Sequence, residues 1–254
     1  MTTQRQAERI FQILTQRHPG FKTTGMRSLY KLPVQHLAGR VFVERTGLGD
    51  DFRLMWTVSA LFLPQINIGR SIGTYREELY RSDCPSQRSS PRSKPMMFSE
   101  RLELIEAGVP LPTWRWSDPT TIADAVAMIE THALPKLLVY STPEGYVRLP
   151  HRANWIFYEP REDRMLAYIA AGDLDAARTI WLEQEPLYRG KAYHPGSLPY
   201  RWHMQLSAVA EPLLDGDRRA LARILHGWEA ANVRGTSIEP YWEPTPFPLE
   251  AGLD

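Results

Sequence analysis

Residues 165–185, MLAYIAAGDLDAARTIWLEQE, and residues 204–231, MQLSAVAEPLLDGDRRALARILHGWEAA, make the same local pattern twice. In the first, a helical run from Met165 to Ala171 stops at Gly172-Asp173 and a second run continues from Leu174 to Glu185. In the second, Met204 to Leu214 stops at Asp215-Gly216-Asp217 and Arg218 to Ala231 follows, with Gly172 and Gly216 standing 44 residues apart. A glycine ends a helix by taking the left-handed conformation, and an aspartate beside it caps the next helix with its carboxylate. The pattern predicts two successive helical hairpins. Such hairpins offer docking surface and carry no chemistry of their own.

Upstream the periodicity changes. Ala7, Ile10, Phe11 and Leu14 share one face of a helix over residues 3–17, with Thr3 and Gln6 spaced as a capping box, and His18-Pro19-Gly20 ends it. Phe21 to Leu32 and Arg40 to Arg45 read as strands, and Gly47 to Asp51 as a turn. The clearest strand follows. Phe52, Leu54, Trp56, Val58, Ala60 and Phe62 alternate onto one apolar face, and Pro64 ends the run. Gln65 to Ile72 reads as a returning strand, so short links favour an antiparallel meander. Residues 81–99 are rich in Ser and Pro and read as a loop. Asp118-Pro119 is a helix start, with Ile122, Ala125, Val126, Ile129 and Ala133 on one face. Leu137 to Tyr140 and Tyr146 to Leu149, flanking Thr142-Pro143-Glu144-Gly145, suggest a late β-hairpin, and residues 155–158 a buried strand or anchor. A Pro-rich extended tail from Pro240 is expected to pack Trp242 and Phe247 against the body or a partner.

The fold class is therefore α+β: an N-terminal helix plus antiparallel sheet over residues 1–115, including the 81–99 loop, followed over 116–254 by a mainly helical half with two helical hairpins. The hairpins resemble the turns of tetratricopeptide-like helical pairs. There are two units where a solenoid needs at least three, and that family's Trp, Tyr and Pro positions are missing, so a four-helix pack on the sheet is the expectation.

Composition excludes several classes. No apolar stretch approaches the ~20 residues that cross a membrane. Met1 to Gln6 is polar without a signal-peptide core, and Cys84 is the single cysteine, so a cytoplasmic location without disulfides is expected. The net charge of +1 hides an asymmetry: residues 1–101 carry 16 Lys/Arg against 8 Asp/Glu, and residues 102–254 carry 14 against 21. Either the halves attract each other, within one chain or as a homo-oligomer, or the basic half meets nucleic acid or an acidic protein.

No cofactor or metal motif is present. Gly69 to Thr74 lacks the lysine and spacing of a phosphate loop, His194 and His203 fit no zinc pattern, and there is no Gly-x-Ser-x-Gly elbow. Cys84 sits in the Ser/Pro loop without a partner base nearby in sequence. The densest polar-aromatic stretch contains Tyr193, His194, Tyr200, Arg201, Trp202 and His203, between the two hairpins; His151 and Arg152 form a smaller cluster. These are the candidate binding residues. They can line a pocket, with imidazole to move a proton, Arg for an anion and aromatics for a ring, or they can simply pin a loop onto helices.

Helix one, Gly20-Phe21-Lys22, Arg27-x-x-Tyr30, the sheet ending near Trp56 and Trp114-Arg115-Trp116 before a helix resemble a family of bacterial domains of unknown function, over about the first 100 residues. In that family a helix precedes a meander of strands, and members occur among immunity-type proteins of bacterial conflict systems. No site residues are defined for it. The resemblance implies a non-enzymatic, partner-binding role, which makes a protein-interaction module the leading expectation. A small-molecule enzyme built around residues 193–203 and a nucleic-acid binder using the basic half are the alternatives.

Overall fold

The computed structural model describes residues 2–24, 28–45, 50–64, 74–79, 114–149, 161–188, 194 and 197–253. Helix α1 (Thr2–Arg17) leads into an antiparallel sheet of β1 (Phe21–Thr23), β2 (Ser28–Lys31), β3 (Leu37–Arg45), β4 (Asp51–Ala60) and β5 (Thr74–Leu79), ordered as in the chain. A short β6 (Trp114–Arg115) pairs with the beginning of β4. The helical half comprises α2 (Thr121–Met128), α3 (Leu134–Tyr140), α4 (Pro143–Tyr146), α5 (Arg161–Ala171), α6 (Leu174–Tyr188), α7 (Leu198–Asp215) and α8 (Arg218–Val233). Residues 65–72, 81–99, 151–152 and 155–158, Cys84 and Tyr193 lie outside the described residues.

The α+β expectation stands, with the meander and both helical hairpins in place. The alternation along β4 does what it predicts: Phe52, Leu54, Trp56, Val58 and Ala60 are all buried. Val41 and Leu79 on the flanking strands share that face through the pairs Val41↔Trp56 and Leu54↔Leu79. Ala7, Ile10, Phe11 and Leu14 of α1 are fully buried in the same apolar cluster. That cluster continues through Leu137 of α3 and Leu166 of α5 to Leu225 of α8 and Leu249 of the tail, so both halves share one core. Phe52 stacks on Trp116 with ring centroids 3.7 Å apart, and Gln6 donates to the Trp116 carbonyl at 3.0 Å, which fastens α1 to the chain after β6.

The late β-hairpin is overturned. Leu137 to Tyr140 belongs to α3, and Thr142-Pro143-Glu144-Gly145 is a capped helical turn. The Thr142 hydroxyl accepts from the Gly145 amide at 3.1 Å, and Pro143 occupies the first turn, where its missing N–H is not needed. The helix starting after Asp118 begins at Thr121. The Asp118 carboxylate is instead turned onto the Thr120 amide at 2.9 Å. Between α2 and α3 the chain makes a wide π turn, Ile129–Ala133, and Pro135, in the first turn of α3, has no amide to complete a regular helical bond.

The two Gly-Asp steps end their helices alike. Gly172 (φ 84°) and Gly216 (φ 73°) are left-handed. The amides of Asp173 and Asp217 reach back to the carbonyls of Tyr168 (2.9 Å) and Pro212 (2.8 Å). Each aspartate carboxylate then caps the next helix, accepting from Ala176 at 3.0 Å and Ala220 at 2.9 Å. Arg178 of α6 joins the hairpins by donating to the Leu213 carbonyl at 3.0 Å. Because a Cβ is strained at positive φ, Gly172→Ala and Gly216→Ala are each expected to lower stability by about 1 kcal/mol, roughly 2–4 °C in Tm for a chain of this size. Asp173→Ala and Asp217→Ala should lose a similar ~1 kcal/mol. Urea and thermal melts check both, and unchanged midpoints in the glycine variants would reject the shared turn as a stability determinant.

Candidate functional site

Ser197 opens α7, its hydroxyl accepting from the Tyr200 amide at 3.3 Å with Pro199 in the first turn. That cap places His203 one turn into the helix, half-buried, with its ring 5.3 Å from that of Tyr188 at the end of α6. The Tyr188 hydroxyl donates to the Glu162 carboxylate in the first turn of α5. A line His203–Tyr188–Glu162 therefore connects three helices. Of the candidate residues, Tyr200 is half-buried in α7 and His194 is exposed. Arg201 and Trp202 lie in α7, their side chains outside the described set, as are Tyr193, His151 and Arg152 altogether. Tyr188 and Glu162 belong to this corner but escaped the sequence reading.

The chain neighbours of that ring pair are apolar and in water. Leu187 is 55% exposed and Met204 51%, and Leu182 on α6 is 62% exposed. The Tyr188–His203 contact brings the end of α6 against the early turns of α7, and the exposed Leu187 and Met204 each adjoin one of those two rings in the chain.

Next to Glu162 in α5, Asp163 is buried beside Tyr146. Burial, reinforced by the Asp163 charge, pushes the Tyr146 hydroxyl well above its ordinary value of 10.0. Arg164 donates to the Val147 carbonyl at 3.1 Å and holds α5 against the chain following α4.

A second polar cluster was not foreseen. His36, after β2, is buried against Glu229 of α8, with Nδ1 3.0 Å from Oε2. Its Nε2 faces both the Thr245 hydroxyl and the Pro246 carbonyl at 3.2 Å. As a neutral ring His36 accepts there from Thr245; as an imidazolium it donates to Pro246, so either protonation state finds a partner. Glu229 accepts from the Trp242 indole at 2.8 Å, and His226 meets Glu250 at 2.8 Å. Phe247 stacks on His36 at 3.8 Å. These bonds point into the protein and fasten the Pro-rich tail to α8 and the sheet. Residues 193 apart in sequence leave no local signal for such a pair.

Among the described residues, grooves open on the outer helix surfaces. One, of about 390 Å³, runs between α1 and α2 over Ile13, Ile122 and Val126, with Arg9, Arg17 and Glu130 on its rim. Burial pushes the Glu130 carboxyl up, but hydrogen bonds from His18 and Arg17 outweigh it and hold it below the ordinary value. Another, of about 540 Å³, lies between α7 and α8, lined by Ala208, Pro212 and Ile224 with Glu211, Asp215 and Arg223. Among the described residues no group of three His, Cys, Asp or Glu side chains is placed to hold a metal ion, and no helix is long and apolar enough to cross a membrane.

Two outcomes follow from the buried groups. Removing one partner of a buried charged or hydrogen-bonded pair strands the other, so Glu229→Ala is expected to lose about 3 kcal/mol or more. Trp242→Phe, which deletes one hydrogen bond, should lose about 1 kcal/mol. Urea melts with limited proteolysis of the tail check this ranking. A raised Tyr146 value means the native state keeps its proton while the unfolded chain ionises near 10.0. The contribution is complete below that pH and is lost as pH climbs toward the folded value. Tyr146→Phe should make the alkaline decline shallower in melts above pH 10. Compared with protein-family models, curated proteins and solved structures, the chain matches none.

Proposed function

We propose that this chain is a non-enzymatic protein-interaction module of a bacterial cytoplasm, of the immunity or defence-associated kind, and that it holds its partner at the corner between the two helical hairpins. The observation that carries the reading is the placement of Leu187 and Met204. Two large apolar side chains, each more than half exposed, sit on adjoining helix ends that the Tyr188–His203 ring contact draws together. Single exposed leucines are ordinary; grouped apolar side chains beside aromatics and a histidine have the make-up of an interface centre. Tyr200, half-buried in the first turn of α7, and the exposed His194 just before that helix offer polar groups in the same stretch of chain.

A second reading has one observation in its favour. The His203–Tyr188–Glu162 line places an imidazole ring 5.3 Å from a phenol that is bonded to a carboxylate, a mix of aromatic faces and polar groups of the kind that lines a small-molecule site.

Affinity capture from nuclease-treated bacterial lysate, with the wild-type chain, Leu187→Glu/Met204→Glu and His203→Ala side by side, separates them. A stoichiometric protein partner is expected with wild type. Charge in place of two interface anchors should weaken it by about 2 kcal/mol or more, roughly thirtyfold. No partner, combined with a metabolite-induced melting shift that His203→Ala abolishes, would overturn the interaction reading in favour of the enzyme.

A further inference from the structure

Arg5 and Arg9 are exposed on α1, one helical turn apart, and have no ion-pair or hydrogen-bond partner among the described residues. Beside them opens the α1–α2 groove, with Ile13 on its wall. Its other rim cation, Arg17, is already tied to Glu130 at 3.3 Å, so the unspent positive charge of this groove is Arg9, extended by Arg5. Across the sequence, the last turns of α7 present the opposite surface. Glu211 and Asp215 are exposed and without partners among the described residues, and Leu214 between them is 49% exposed.

The two sets match in chemistry and in spacing. Arg5 to Arg9 and Glu211 to Asp215 are both four-residue steps on a helix, about 6 Å along the axis. Apolar surface adjoins both pairs, Ile13 one turn past Arg9 in the groove and Leu214 between the two acids on α7. Glu211 and Asp215 line the α7–α8 groove together with Asp217 and Arg223, so Arg223 offsets part of a negative charge that stays in excess there.

We infer that a second copy of this chain is the occupant: the end of α7 of one copy seats at the α1–α2 groove of another, with the two carboxylates toward Arg5 and Arg9 and Leu214 packed between those pairs. The contact joins unlike surfaces, so it propagates as a chain or closes as a ring. It uses neither Leu187 nor Met204 and stands independently of the partner site at the hairpin corner.

Sedimentation velocity of the purified full chain over a concentration series at low and high salt tests it. Mass should rise with concentration and fall back toward the monomer as salt screens the pairs. Arg5→Ala/Arg9→Ala and Glu211→Ala/Asp215→Ala each remove one surface at exposed positions, and each variant alone should stay monomeric with an unchanged melting curve. Mixed together, each retains the surface the other lacks, so they should form one-to-one pairs that grow no further. A wild-type chain that is monomeric throughout, or association that both variants leave intact, would overturn the proposal. Loss of self-association with partner capture retained, or the reverse, keeps its fate separate from that of the functional reading.

Discussion

The apolar face of β4 is wider than any single element that could cover it. Phe52, Leu54, Trp56, Val58 and Ala60 extend the length of a ten-residue strand, and the flanking strands add Val41, Val43 and Leu79. Exposed, the larger of those side chains would each lose on the order of 1.5–3 kcal/mol of burial. The chain covers them with segments drawn from all along its length. Phe11 and Leu14 come from α1, Leu134 and Leu137 from α3, and Phe247 from the tail, where its ring meets Phe62 edge-on at 5.8 Å. Sheet and helical bundle are thus joined by a shared apolar interior, and the hairpins are held where they are because α5 and α8 contribute Leu166 and Leu225 to it.

Closing that interior with a proline-rich tail creates a second demand. The tail, expected to be extended throughout, makes two 3-10 turns, Glu239–Tyr241 and Pro248–Glu250, and a backbone bridge to Val34, and side-chain bonds to the buried Glu229 add to them. A fully buried carboxylate is expensive unless every oxygen is bonded. Here one oxygen takes His36 and the other the Trp242 indole. Asn232, one turn further along α8, donates to the carbonyls of Leu61 and Leu63, where the chain leaves β4. The polar contacts do not add to the driving force of collapse so much as decide which way the tail lies, since the alternative placements leave buried groups unpaired.

What could be read from the sequence divides along the range of the interactions responsible. The Gly-Asp turns were legible because both the left-handed glycine and the capping aspartate act within four residues, and β4 was legible because alternation is a property of one strand. The segment 137–149 was misread because Leu137 to Tyr140 and Tyr146 to Leu149 look like strands around a turn, while the Thr142 cap, Pro143 and the accommodation of Pro135 by a π turn make helix of the same residues. At the candidate site, the Tyr193–His203 stretch announced itself by composition, but Tyr188 and Glu162 join His203 only through helix packing. His36 and Glu229 were beyond reach for the same reason.

The charge asymmetry between the halves had two sequence readings, attraction inside the chain or toward something outside. Cross-half pairs do form: Arg17 and His18 with Glu130, Arg115 with Asp51, and Lys136 with Glu77 at 2.6 Å. Lys136 and Arg115 run against the overall asymmetry, basic groups of the acidic half meeting acids of the basic half. Partly exposed pairs of this kind contribute about 0–1 kcal/mol each, small beside the shared core, so charge is not what unites the halves. A fold assembled by apolar burial has no need to neutralise its surface. Arg5 and Arg9 on one side and Glu211 and Asp215 on the other stay unpaired among the described residues, and it is this remainder, rather than the net charge of +1, that an approaching molecule meets.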